Sequence, residues 1–258
     1  MRRFFIILYK FKFLKRIVPS IFKIGIRIFN INYVTIKHKK TLFRLNLKNP
    51  IDREIYLKNK YEKKQLNYLI KFIKKKNVSI FLDIGAHMGF YSINLSRIVK
   101  NIYAFEPSAG NYSQLKQNMH INKIRNIRVF NKALSNIAKK NIKMWVPDKN
   151  KTGGFSILDS NDRELKKYNS NKIFSITSSC EKLDNMLQIK NKKIAVKIDV
   201  ERHEEKVLKG GLNIFKNNKA ILQIEVFPSK KKKVFDFLKI HNYKKIHSVA
   251  NDYFFTNY

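Results

Sequence analysis

From residue 79 onward the chain repeats one pattern, a short apolar run followed by a stretch of helical periodicity. No other feature constrains the fold as much. Strand signals at 79–84, 101–106, 127–131, 194–200 and 220–226 alternate with helical patterns near 90–99, 110–121, 203–216 and 230–241. Runs apolar at nearly every position mark strands buried on both faces, and β/α alternation builds a mostly parallel sheet with helices on both sides. YKKIHSV and DYFFTN add two further strands, expected as an antiparallel edge pair.

Between the third and fourth of these strands, IKMWV and IFSIT read as extra strands around a long polar loop, PDKNKTGGFSILDSNDRELKKYNSN. A loop of that length inside a compact domain is a lid or an unstructured segment. Upstream, TLFRLNL alternates like a half-buried strand. Glu54 to Lys76 reads as polar, then as an amphipathic helix through Leu66, Leu69, Ile70 and Ile73. The expected division is a basic N-terminal extension over residues 1–50 and one α/β domain over 51–258.

Lys+Arg total 55 against 18 Asp+Glu, a net charge of +37, which calls for an anionic partner such as a membrane surface, a phosphorylated substrate or nucleic acid. With 44 Lys and 11 Arg, the cations are mostly point charges rather than planar forks. Nucleic-acid reading is thereby disfavoured. Residues 1–51 hold 13 Lys/Arg and no acid, so the N-terminal fifth is distinctly enriched.

MRRFFIILYKFKFLKRIVPSIFKIGIRIF mixes apolar and cationic residues at helical spacing, and no span reaches the roughly 18 to 20 apolar residues of a membrane-crossing helix. The apolar block Phe4 to Tyr9 is too short for a secretory signal and no small-residue cleavage site follows it. Two readings remain for this segment. Either a basic helix pair lies on an anionic leaflet, or its apolar stripes pack onto the main domain. Cys180 is the sole cysteine, which excludes an intrachain disulfide and fits a cytoplasmic protein, peripheral at the inner membrane face under the first reading.

FLDIGAHMG, residues 81–89, ends the first strand with a glycine turn that opens a helix. Ligands of open α/β sheets bind beyond such strand ends. Gly85 and Gly89 permit the turn and a close backbone approach, and Glu106 follows at the end of the next strand, where a carboxylate can take both ribose hydroxyls. The glycine spacing is GxxxG rather than the dinucleotide GxGxxG, and Asp83 directly before the turn would repel a pyrophosphate. The same acid suits the ammonium end of a methionine moiety. S-Adenosylmethionine is therefore favoured over NAD, with the third strand's NKALS as further support.

With these motifs in place the chain resembles the FkbM-type S-adenosylmethionine-dependent methyltransferases. The resemblance runs from about Tyr61 to Val226 through DIGAHMGFYS, AFEPS, the NxxxN run at Asn118 and Asn122, KALS, GGFSI, KLDNML, KIDVERHE with VLKGG, and ILQIEV. It implies a class I, Rossmann-like methyltransferase fold and transfer to hydroxyls of sugars or other secondary metabolites. It also implies that Asp83, Gly85, Ala86, His87 and Gly89 line the methionine end. Glu106 with Pro107 would hold the ribose, and Ala133 with Leu134 the adenine. The family pattern KIDVEGxE carries a glycine where this chain has Arg202, which implies backbone strain or a narrowed site.

Methyl transfer to a hydroxyl needs positioning and a proton acceptor. KIDVERHEE gathers Asp199, Glu201, His203 and Glu204 at the end of the fourth strand. Asp199 is the first choice for orienting the hydroxyl or taking its proton, Glu201 the second and His203 an alternative base, whereas Glu204 in a first helical turn reads as structural. Lys197, inside an apolar strand, requires a carboxylate, Asp83 or Glu225. No His/Cys ligand spacing accompanies these residues, and no metal is expected.

The expected function is thus O-methylation of a hydroxyl on a saccharide or glycolipid precursor, in polysaccharide biosynthesis. The alternatives are an RNA or DNA methyltransferase, against which the absence of a [DN]PPY element counts, and a membrane-attached binding protein on a decayed scaffold. The oligomeric state is not legible.

Overall fold

A computed structural model describes residues 4, 7–8, 11, 13–58, 61–146, 156–157 and 174–258. The chain divides into two compact units, Met1–Lys63 and Lys64–Tyr258.

The first unit contains helix α1 (Leu14–Ile28), strands β1 (Tyr33–His38) and β2 (Thr41–Asn46), and helix α2 (Pro50–Lys58). The strands pair antiparallel from Tyr33↔Asn46 to His38↔Thr41. Alternation along β2 buries Thr41, Phe43 and Leu45, the half-buried strand that its sequence predicts. Buried Asp52 ties α2 to the hairpin, accepting the Asn46 N–H at 2.6 Å and the Asn49 amide at 3.2 Å. Phe22 of α1 stacks on Tyr56 with ring centroids 5.1 Å apart. The expected N-terminal helix pair is described only in its second member, since most of residues 1–12 lie outside the described residues.

The second unit opens with α3 (Lys63–Lys76), whose Leu66, Leu69 and Ile73 are buried. This is the amphipathic helix expected through Leu66, Leu69, Ile70 and Ile73, and Glu62 stands in a left-handed conformation (φ +40°) just before it. A seven-stranded sheet follows, made of β3 (Ile80–Ile84), β4 (Asn101–Phe105), β5 (Ile127–Phe130), β9 (Lys193–Ile198), β10 (Lys219–Glu225), β11 (Lys244–Val249) and β12 (Asp252–Thr256). Its spatial order is β11-β12-β10-β9-β3-β4-β5, parallel from β10 to β5, with β12 antiparallel to both neighbours. Every residue of β3 is buried, as expected of a strand covered on both faces. α4 (Phe90–Leu95), α5 (Ala109–Ile121), α6 (Leu183–Met186), α7 (Glu204–Gly210), α8 (Leu212–Lys216) and α9 (Lys231–Ile240), with a 3-10 turn at Pro228–Lys230, complete this unit's helices among the described residues.

The insert supplies a separate three-stranded sheet of β6 (Ala133–Leu134), β7 (Lys139–Val146) and β8 (Phe174–Glu181), ordered β6-β8-β7. β7 and β8 are the strands expected at IKMWV and IFSIT. Apart from Ser156 and Ile157, the polar loop between them lies outside the described residues.

The chain builds β3, β4 and β5 outward in one direction, then returns to place β9 on the other side of β3. The order therefore reverses between β3 and β9, and such a switch point is where open α/β sheets bind ligands.

Candidate active site

The tips of β3 and β9 meet at this switch point. Asp199 N–H donates to the Ile84 carbonyl at 3.0 Å, and on the other flank Gly85 and Ala86 both donate to the Phe105 carbonyl at 3.0 Å. Gly85 has φ +83°, and a Cβ there would stand 1.8 Å from the Asp199 backbone oxygen. The approach of β9 itself therefore requires glycine here. His87 (φ +50°) and Gly89 (φ +87°) complete the turn, and Gly89 N-caps α4. Behind the turn, buried Asn118 donates to the Met88 carbonyl at 3.0 Å, and Asn122 donates to the Asn118 carbonyl at 2.7 Å. This explains the NxxxN spacing as a brace on the turn, a role sequence reasoning missed because its partner lies thirty residues away.

Glu106 bridges the turn to α5. Its Oε2 accepts the His87 N–H at 2.8 Å, and its Oε1 accepts the Ser108 N–H at 2.9 Å and the Asn111 amide at 3.2 Å. Burial pushes its carboxyl up to about 7 against the pull of those hydrogen bonds. Asn131 donates to the carbonyls of Glu106 and Pro107, and Ser178 also donates to Pro107, fixing the segment after β4. Asp83 lies below the turn, buried, with its Oδ2 taking the Ser92 N–H at 3.0 Å and hydroxyl at 2.6 Å. Burial raises its pKa despite Lys197. Burial likewise lowers His87 to about 4, so that imidazole is neutral at pH 7. Ala133 and Leu134 are both buried, Leu134 in the core of the main sheet and Ala133 in that of the small sheet.

Lys197 finds its carboxylate in Asp199, two residues on, at 2.6 Å. Asp83, its register neighbour on β3, and Glu225, the two expected partners, act on the same ammonium through their charge. Residues i and i+2 of a strand share a face, so the two side chains run together to the tip. The ammonium also sits 4.8 Å from the centroid of the Tyr91 ring, whose hydroxyl accepts from Gln223 at 2.8 Å. Gln223 donates in turn to Asp252 at 2.8 Å. Burial alone would raise Asp199, but the Lys197 charge and a hydrogen bond from Glu225 prevail and hold it below the usual range. Glu225 moves the other way, raised by burial and by the Asp199 charge, and keeps its proton at neutral pH.

Beyond Asp199 the backbone turns through two consecutive left-handed residues, Glu201 (φ +50°) and Arg202 (φ +75°). The Arg202 N–H donates to Glu204 Oε1 at 2.8 Å, and its guanidinium lies 4.4 Å from the Phe227 centroid. Ser156 of the insert donates to the Glu201 carbonyl. Glu204 is fully buried, which pushes its carboxyl up to about 7. His203 Nε2 lies 3.0 Å from the Ser135 hydroxyl, and burial lowers its pKa to about 4. The expected sites therefore fall at two places, Asp83 through Glu106 around the β3 turn and Asp199 at the tip of β9, with His203 occupied by Ser135. Among the described residues no His/Cys/Asp/Glu group is arranged to hold a metal ion.

These groups fit S-adenosylmethionine better than a dinucleotide. The side chains gathered there are acids, suited to a ribose diol and to cationic sulfonium and ammonium groups, and Lys197 is neutralised by Asp199 rather than available to a pyrophosphate.

Residues 83–245, well over half of the chain, match the Methyltransferase FkbM domain family. Curated proteins give no significant match. Among solved structures, the FkbM methyltransferase of Methylobacillus flagellatus KT aligns over 80% of this chain and 54% of its own at 13% identity and TM-score 0.47, so this chain spans about half its length. SMU.1697c, a putative methyltransferase from Streptococcus mutans in complex with SAH, aligns over 75% and 94% at 11% identity and TM-score 0.44. An rRNA methylase from Streptococcus thermophilus aligns over 75% and 92% at 10% identity and TM-score 0.42. On the family match, the chain belongs to the FkbM family of S-adenosylmethionine-dependent methyltransferases.

Proposed function

We propose that the chain O-methylates a hydroxyl of a saccharide or glycolipid precursor. The observation that carries this reading is the carboxylate of Asp199, held ionised by Lys197 at the tip of β9, beside the glycine turn. When bound, S-adenosylmethionine supplies an electrophilic methyl group on a sulfonium. The Gly85–Gly89 turn with Ala86 and His87 takes the methionine end, Glu106 and Pro107 the ribose, and the segment of Ala133 and Leu134 the adenine. Asp83 lies beneath the turn, hydrogen-bonded to Ser92.

Asp199 orients the acceptor hydroxyl by accepting its hydrogen bond, and Glu225, which keeps its proton, fixes Asp199 by donating to it. A hydroxyl becomes strongly acidic as its oxygen gains a methyl group, so a carboxylate below the usual range is base enough to take the proton. Most of the rate then comes from geometry, for which near-attack positioning is worth about 7 to 11 kcal/mol. Glu201 is the second candidate for contact with the acceptor. His203, a weak base engaged with Ser135, is the third.

Asp199→Asn is expected to cut turnover by about 10²- to 10⁴-fold while changing S-adenosylmethionine affinity less than about threefold. Labelled-methyl transfer onto saccharides identified by mass spectrometry of cells with and without the gene measures turnover, and calorimetry with S-adenosylmethionine measures affinity. Full turnover in the variant removes Asp199 from its role. A net charge of +37 favours RNA as a second acceptor. Labelled RNA product in the absence of any labelled saccharide would establish that reading instead.

A further inference from the structure

Helix α1 carries two apolar stripes, and they do different things. Val18, Phe22 and Ile26 are buried. Ile17, Ile21, Ile24 and Ile28 recur at the same helical spacing, yet are exposed by 40, 55, 57 and 71%. At about 100° per residue the second stripe lies roughly a third of a turn from the first, and Lys23 and Arg27 flank its far side. The helix is thus divided into a buried face, an exposed isoleucine face and a cationic face.

We infer that the isoleucine face of α1 is a docking surface for an anionic phospholipid leaflet, with the isoleucines entering the acyl boundary and Lys23 and Arg27 meeting the headgroups. Exposed isoleucines in a row are costly in water, and a lipid surface offers an apolar layer directly beneath an anionic one. Charge complementarity favours that occupant, since residues 1–51 contain 13 cations and no acid. A second copy would set like-charged rows against each other. Four isoleucines also fall well short of the roughly 1,200 Å² that stable protein interfaces bury. This inference goes beyond methyl transfer and does not depend on it.

The test is co-sedimentation of the full chain with phosphatidylcholine vesicles and with vesicles containing about one third phosphatidylglycerol, beside circular dichroism and S-adenosylmethionine affinity as checks on folding. Binding is expected only to the anionic vesicles. Ile21→Ser/Ile24→Ser should weaken it about tenfold or more, and Lys23→Gln/Arg27→Gln about 30-fold, with both checks unchanged. No vesicle binding by the wild type, equal binding to both compositions, or binding indifferent to the isoleucine pair would each overturn the inference. So would a dimer in analytical ultracentrifugation that the isoleucine pair dissociates, which would assign the face to a second copy.

Discussion

Two strand tips meet at the switch point, and each needs backbone in the left-handed region. At β3 the requirement falls on Gly85 and Gly89, with His87 between them. At β9 it falls on Glu201 and Arg202. Glycine enters that region without penalty, whereas other residues pay about 1 to 2 kcal/mol. The β3 turn has no latitude, because the Asp199 carbonyl occupies the space of a Gly85 side chain. The β9 turn tolerates strain because other contacts hold it, the Glu204 carboxyl beneath the Arg202 N–H and the Phe227 ring beneath the guanidinium. One tip is set by sterics and the other by compensating interactions.

The sharpest break of this comparison is Gly85→Ala. A Cβ 1.8 Å from a backbone oxygen cannot be relieved by a rotamer change, and φ +83° adds its own strain. The expected loss is about 4 kcal/mol or more, the range of severe core changes, with S-adenosylmethionine binding abolished. Urea unfolding and calorimetry read both. A loss below about 1 kcal/mol would mean that β9 can withdraw, and the contrast between rigid and compensated tips would fail.

Next in size is the pH dependence set by Glu204. Its folded carboxyl sits near 7 against an ordinary 4.5, so the folded state favours the protonated form. The stability this gives is present below about pH 4.5 and is lost as pH rises through about 7. A shift of that size corresponds to about 3 kcal/mol at most. Oε2, buried without a hydrogen-bond partner, is where the proton would reside. Glu204→Gln keeps an acceptor for the Arg202 N–H and should flatten the fall in stability between pH 4.5 and 7. An unchanged slope in urea titrations across that window would move the linkage to another group, such as Glu106, whose carboxyl also sits near 7.

What could be read beforehand follows the range of the interactions. The parallel strands were legible because burial on both faces makes IFLDI and KIAVKI mostly apolar. The edge pair was legible as two further strand signals, YKKIHSV and DYFFTN, and the glycine turn through its placement after a strand. Lys197 is legible as a cation that needs acids, and Asp199, two residues on and on its own face, joins the cross-strand neighbours Asp83 and Glu225 in supplying them. The expected helix over residues 203–216 is two, α7 and α8, broken where Gly210 and Gly211 meet. His203 with Ser135 and Asn118 with Met88 join residues far apart in sequence, and no local periodicity carries such pairings. Glu204 was read as structural, and its carboxyl does brace the turn.

The smallest effect discriminates most finely between the two tips. Arg202→Gly removes left-handed strain of about 1 to 2 kcal/mol, but forfeits a cation–π contact of about 0.5 to 1 kcal/mol and loosens the unfolded chain by a similar amount. The terms nearly cancel, so its stability should stay within about 1 kcal/mol of the wild type. Arg202→Ala forfeits the same contact and keeps the strain. It should therefore fall below Arg202→Gly by about 1 kcal/mol. If alanine equals or exceeds glycine in urea unfolding, the left-handed turn at β9 relaxes when the arginine is removed. The guanidinium on Phe227 would then be what imposes the turn, rather than what compensates for it.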